Sequence, residues 1–201
     1  MTPLDLAYRL AVENYSGPAG FARAYFRRLV EIMAKVDADT VGALVDLLCR
    51  ARERSAVIAF CGNGGKAAVA AEWVNDLGIE TGSTFRAVSL CDNVAALTSI
   101  ANDEGYDRVF ARQVESLLRP GDVLIALSAS GASKNVIAAV TTARAKGVET
   151  VGLTGEAGGD LGKLVDLEVC AGTGPDECGL SEDAHMAIMH SIVNWLMRVR
   201  A

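Results

Sequence analysis

Paired cysteines, clustered basic residues and long apolar runs are missing from this 201-residue chain, and histidine occurs only twice. The five cysteines (Cys49, Cys61, Cys91, Cys170 and Cys178) form no Cys-x-x-Cys pair and have no zinc-finger spacing. Their odd number argues against a disulfide framework, and they read as reduced, mostly buried small hydrophobes of a cytosolic protein. The basic residues are scattered and the net charge is −6, which argues against nucleic acid as the main partner. No apolar run could span a bilayer, and the first residues, Met1 to Asp5, lack the basic flank and apolar core of a signal peptide. A cytoplasmic protein without a membrane partner is expected. Apolar residues are abundant, at 51%, and suffice for one well-filled core without disulfides.

Helical periodicity fills the first third, with helices expected over Leu4–Tyr15, Ala19–Lys35 and Asp39–Glu53, the third capped by Asp37 or Asp39. The pattern then alternates. Short apolar runs at Ala56–Cys61, Arg86–Leu90, Val123–Leu127, Glu149–Leu153 and Leu167–Cys170 read as strands. Helix-length segments lie at Ala67–Leu77, Asp107–Leu118 and Asn135–Lys146, and Ser181–Val199 closes the chain as a long helix. Alternation of this kind predicts an α/β fold with a parallel sheet covered on both faces. No linker or repeat divides the chain, so a single domain over 1–201 is expected, with N-terminal helices in 1–54 and an α/β core in 55–201.

Ligands of such sheets sit beyond the carboxyl ends of the strands. The strand at Val123–Leu127 exits into Ser128-Ala-Ser-Gly-Ala-Ser133, followed by a helix. Small hydroxylated residues there aim free N–H groups, the helix dipole and hydroxyls at one point, which suits a phosphate. Ser133 could instead be a plain N-cap. The first strand exits into Cys61-Gly-Asn-Gly-Gly-Lys66, which fits neither a dinucleotide fingerprint nor a P-loop, so no nucleotide cofactor is implied. Asp92, after the second strand, could cap a helix or hold a sugar hydroxyl. Thr154-Gly-Glu156 reads as a turn.

Two helices carry candidate acid–base groups. Glu72 and Asp76 are four residues apart, roughly 40° apart around a helix with ~3.6 residues per turn. Like charges at that spacing repel on an open surface. They suggest either a solvated acidic face or a metal, lysine or shared proton between them. His185 and His190 are five apart on the last helix and face different ways, so at most one is expected in a site. His190 shares a face with Asp183 and, less closely, Glu182.

The glycine turn, the run Leu127-Ser-Ala-Ser-Gly-Ala-Ser133 with Asn135-Val-Ile, the later Leu153-Thr-Gly155 and the spacing Glu182-x-x-His-x-x-x-x-His190 resemble, in order and spacing, the sugar-isomerase (SIS) family. The resemblance covers nearly the whole chain and is greatest to the bacterial sedoheptulose 7-phosphate (phosphoheptose) isomerases. It implies a three-layer flavodoxin-like sandwich with a five-stranded parallel sheet, and a homotetramer or dimer with active sites between subunits. It implies an aldose–ketose isomerase working through an enediol on a heptose or octose phosphate. Ser128, Ser130 and Ser133 would hold phosphate. Asn63, with Gly64, Gly65 and Lys66 of the same turn, would line the pocket, and Asp92 and Glu182 would meet the sugar. Asp76 and His190 would move protons. Glu72, Asp76, Glu182 and His190 fall where some members bind zinc.

The chain departs from the family at several of these places. Lys66 stands where serine is usual, Ala129 where threonine is, Gly179 where a polar residue is expected, and Glu72, Asp76 and Glu182 replace histidine, glutamate and glutamine. Three carboxylates and one histidine make a more anionic set than histidine-rich zinc sites, one that would need a divalent ion, Lys66 or a shared proton to offset repulsion. A phosphosugar-binding regulator without catalysis is the alternative.

Overall fold

The computed structural model describes residues 15–82 and 84–199, so the helix expected over Leu4–Tyr15 lies, but for Tyr15, outside the described residues. Helices α1 (Gly17–Met33) and α2 (Ala38–Glu53) come first. Pro18 sits in the opening turn of α1, where its missing N–H costs nothing. Asp37 is the cap of α2: its carboxylate accepts from the Asp39 N–H at 3.0 Å and from the Thr40 hydroxyl at 2.7 Å.

The alternating part follows as β1 (Val57–Gly62), α3 (Gly65–Asn75), a π-helical turn (Asp76–Glu80), β2 (Arg86–Ser89), α4 (Val94–Asp103), a 3-10 turn (Tyr106–Arg108) and α5 (Ala111–Leu117). Then come β3 (Val123–Ser128), α6 (Lys134–Ala145), β4 (Glu149–Thr154), α7 (Gly159–Leu164), β5 (Leu167–Cys170) and α8 (Cys178–Arg198). The five strands form one parallel sheet in the order β2-β1-β3-β4-β5. This is the flavodoxin-like order, and its direction of winding reverses between β1 and β3.

Each central strand divides its side chains between two cores. Ile58, Phe60, Ile125 and Leu127 pack under α2, α3 and α8 with Leu44, Leu48, Trp73 and Ile192. Ala59, Cys61, Leu124 and Ala126 face the other way, against α5 and α6 with Phe110, Val114, Val136 and Val140. Three layers result. Trp73 is fully buried and stacks on Phe60 with ring centroids 5.3 Å apart; an aromatic pair of this kind adds about 0.5–1.5 kcal/mol beyond burial.

Several expectations shift. The segment expected as one helix from Asp107 breaks into the 3-10 turn and α5. The helix expected to end at Leu77 begins at Gly65 and passes into the π turn at Asp76, where the Thr81 N–H reaches back to the Asp76 carbonyl at 3.2 Å. α4 is capped by Asn93, which accepts from the Ala96 N–H, so Asp92 is not the cap. α7 has only six residues, too few to show a period. α8 begins at Cys178 rather than Ser181. Among the cysteines only Cys61 is buried, and Cys178 is exposed; the expectation that most are buried is corrected. Among the described residues, no helix is long and apolar enough to cross a membrane.

Candidate active site

The winding reverses between the carboxyl ends of β1 and β3, the place where open α/β sheets bind ligands. Asn63 leaves β1 and Asn135 lies in the first turn of α6. Their amides face each other in a reciprocal pair, with Nδ2 of each donating to Oδ1 of the other at 2.9 and 2.8 Å. The Tyr106 hydroxyl also donates to Asn63 Oδ1 at 2.9 Å. This closed set fixes the glycine turn against the serine loop. Asn135 showed in the sequence only as part of a motif, and Tyr106 not at all, because their partners are remote along the chain.

In the serine loop, Ser133 occupies the N-cap position of α6 but its side chain makes no capping bond. Its hydroxyl lies 3.2 Å from that of Ser128 instead. The capping alternative is therefore not realised; in the first turn of this 12-residue helix the Val136 N–H donates instead to Asn135 Oδ1 at 3.0 Å. Ser130 Oγ accepts from the Ala132 N–H at 3.2 Å. Gly131, at φ +63°, lets the loop press on the Gly158–Gly159 turn, and the Leu161 N–H donates to its carbonyl at 2.9 Å. Gly155 and Glu156, expected as a plain turn, brace the loop from beneath by donating to the Ala129 carbonyl, each at 2.9 Å.

The glycine turn opens α3. The carboxylate of Glu182 rests on Gly65, where a Cβ would fall 2.2 Å from its carboxyl carbon. Glu182 thus lies against the N-terminus of α3, where the dipole favours an anion. Lys66, only 5% exposed, runs from the same turn to α8 and donates to Ser181 Oγ at 3.0 Å. Burial pushes its ammonium down to about 8, and the charge of Glu182 works against that shift.

α8 is anchored at its start by α1. Arg28 grips Glu177 with two hydrogen bonds of 2.7 and 2.9 Å, and the Tyr25 hydroxyl donates to Asp183 at 2.5 Å. The Arg28 guanidinium holds the Glu177 carboxyl below its ordinary range. Asp183 is thereby directed to Tyr25. The two histidines part as expected. His185 is fully buried, with Nε2 2.9 Å from the Thr154 carbonyl, and burial followed by the nearby Lys66 charge pushes it down to about 3. It is neutral, so Nε2–H is the donor. His190 is exposed.

His190 joins Glu72 and Asp76, and one donor atom from each lies within 4.8 Å of the others. His190 Nε2 is 3.9 Å from Asp76 Oδ2, while Asp76 Oδ1 accepts from Asn75 Nδ2 at 3.1 Å. Asp76 is the first residue of the π turn and is buried. Ligands around a tetrahedral zinc stand about 3.4 Å apart, from bonds of about 2.1 Å. Small side-chain rotations would bring the trio to that spacing, so its residues fit a divalent ion, and the two carboxylates suit a hard one. Glu182, expected as a fourth member, is placed at Gly65. Asp92 is exposed at the end of β2 and accepts from the Ser89 hydroxyl at 2.9 Å.

A profile of the SIS domain matches residues 23–155. The phosphoheptose isomerase of Roseiflexus sp. (strain RS-1) is 39% identical over 170 residues, 83% of each chain. That of Nitratidesulfovibrio vulgaris is 36% identical over 192 residues, covering 92% of this chain and 86% of the relative. Among solved structures, the phosphoheptose isomerase of Neisseria gonorrhoeae superposes with a TM-score of 0.80 at 31% identity, over 95% of this chain and 98% of that one. A profile over most of the α/β part, relatives spanning both chains and a shared three-layer fold lead to one conclusion: the chain belongs to the SIS domain family.

Proposed function

We propose that this protein is a phosphoheptose isomerase, interconverting sedoheptulose 7-phosphate, or a similar heptose or octose phosphate, and its aldose phosphate. The observation that carries the reading is what stands at the two ends of α3. At its start the glycine turn meets the hydroxyl-lined loop that follows β3, through the Asn63–Asn135 pair, and past its end Asp76 of the π turn faces His190 of α8.

The roles follow from the chemistry each group has. Ser128, Ser130 and Ser133 hold the phosphate at the N-terminus of α6. Asn63 and Asp92 orient hydroxyls. Asp76 and His190 carry the protons: one is taken from C1 of the open-chain ketose as O2 gains another, giving the enediol. O1 then loses its proton and C2 gains one, giving the aldose. Asp76 is held by Asn75, and the 3.9 Å gap to His190 is too long for a direct hydrogen bond, which leaves both groups free for substrate. Glu72, Asp76 and His190 would hold a divalent ion, zinc by family likeness. Such an ion polarises the carbonyl and hydroxyl oxygens at C1 and C2 when bound. A homo-oligomer in the cytoplasm, with the half-exposed His190 near a subunit boundary, fits the exposed Phe26 and Val30 of α1 and Trp195 of α8.

Incubation with sedoheptulose 7-phosphate, followed by NMR for an aldose anomeric signal, tests the reading. Binding without conversion would replace it with a phosphosugar-binding regulator.

A further inference from the structure

We infer that Lys66 is the specificity-determining cation of the phosphate end of this crevice, selecting a phosphorylated sugar over its neutral counterpart. The inference rests on the phosphosugar reading above and assigns Lys66 a part in it.

The serine loop offers hydroxyls and amides but no charge of its own. Two carboxylates stand at this end of the sheet, Glu182 against Gly65 of the glycine turn and Asp92 after β2. A phosphate dianion entering such a place needs a compensating cation. Lys134, in the first turn of α6, is exposed, and solvent screens it. Lys66 is buried, and the fold has made room for it: a Cβ on Gly62 would fall 2.7 Å from that of Lys66.

The lysine ends beneath the serine loop. Its ammonium donates to Ser181 Oγ at 3.0 Å, and Ser181 is fully buried. Ser181 Oγ lies 3.1 Å, and the Ala129 carbonyl 2.8 Å, from the point a Gly155 Cβ would occupy. Ser181 Oγ and the Ala129 carbonyl of the loop thus both border Gly155, and the Lys66 ammonium binds the first of them. Among the described residues no carboxylate lies within 4 Å of it to form an ion pair. The carboxylates whose charge reaches it are Glu182 and Asp183, both on α8, which also carries the ionisable Cys178 and neutral His185. Glu182 lies against Gly65, and Asp183 accepts from Tyr25. Two buried acceptors of this region, Thr173 Oγ1 and His185 Nδ1, have no hydrogen-bond partner. A buried ammonium held by a hydroxyl is costly until an anion arrives. Burial already lowers its proton affinity, and an arriving dianion would restore it.

Calorimetric titration at pH 7 with sedoheptulose 7-phosphate, sedoheptulose and inorganic phosphate tests the assignment on wild type, Lys66→Met and Lys134→Met. Lys66→Met should weaken both phosphorylated ligands about tenfold or more and leave sedoheptulose within about twofold. Lys134→Met should change each by less than about threefold. Unchanged phosphate binding in Lys66→Met, or an equal loss for sedoheptulose, overturns the assignment. Wild type alone gives a second readout, since phosphate affinity should fall as pH rises above about 8; a flat profile up to pH 9.5, or no phosphate binding at all, also overturns it. Lys66-dependent phosphate binding in a chain that leaves sedoheptulose 7-phosphate unconverted would refute the isomerase reading and uphold the role of Lys66.

Discussion

Replacing Gly131 by alanine attacks the serine loop at its tightest point. The residue has φ +63°, and its new Cβ would fall 2.0 Å from the Gly158 carbonyl oxygen and 3.0 Å from the Gly159 Cα. Both obstacles are backbone, so no side chain can swing aside. Left-handed geometry alone costs an alanine about 1–2 kcal/mol. Pushing the two turns apart also breaks the bond from the Leu161 N–H to the Gly131 carbonyl, worth about 1 kcal/mol. The sum is about 2–3 kcal/mol, which for a chain of this size lowers Tm by about 4–12 °C. Gly121→Ala is the control, since φ there is +86° and a Cβ would meet nothing within 4 Å. It carries the strain without the collision. Thermal melts of the two variants, with KM for the phosphosugar, separate the effects: Gly131→Ala should melt lower than Gly121→Ala and raise KM, whereas Gly121→Ala should leave KM unchanged. Equal melting temperatures, or an unchanged KM in Gly131→Ala, would refute the packing described between the loop and the Gly158 turn.

His190→Ala should lower kcat by about a hundredfold or more with binding largely intact, as expected of a lost proton carrier; unchanged turnover would remove it from the mechanism. Ser130→Ala should raise KM, and a change confined to kcat would contradict a phosphate role. Elemental analysis of protein purified without chelators should find about one divalent ion per chain, and Glu72→Ala should lose it; equal metal content in the variant would sink that site. His185 protonates near 6.5 when unfolded but only near about 3 when folded, so the unfolded state takes up the extra proton between these values. Stability should therefore fall with pH below 6.5, by up to about 1.4 kcal/mol per pH unit. His185→Asn, although less stable at neutral pH, should show a shallower fall between pH 6 and 5, and an identical slope would place the linkage elsewhere.

The alternation of strands and helices was legible in the sequence because each central strand is apolar on both faces, as Ile58 to Cys61 and Leu124 to Leu127 show. Where a segment is short or its apolar face narrow, as in α7 and α4, periodicity carries little information. The π turn at Asp76 could not be read from pattern, since five residues wound differently leave the same composition. The serine loop was visible as a cluster of one residue type. Tyr106 and Ser181 were not, because each matters only through a partner at least 43 residues away, and Asn135 was visible only through its motif.

The carboxylate-rich cluster shows how folding separates charges that the sequence places together. Read from the chain, Glu72, Asp76, Glu182 and His190 form one set of three anions and an imidazole, whose mutual repulsion would need offsetting. The fold divides it. Glu182 lies at the start of α3, against the helix dipole and within reach of the Lys66 charge. Glu72 and Asp76 remain with His190, where two carboxylates face one imidazole. Lys66 and Glu182 act on each other electrostatically, apart from the group of Glu72, Asp76 and His190. Exchanging both for the family residues together should therefore disturb stability less than exchanging Lys66 alone for serine, which leaves Glu182 without its nearby cation. A double-mutant cycle of Lys66→Ser and Glu182→Gln measures that coupling, and additive effects would show that the two charges do not act as a pair.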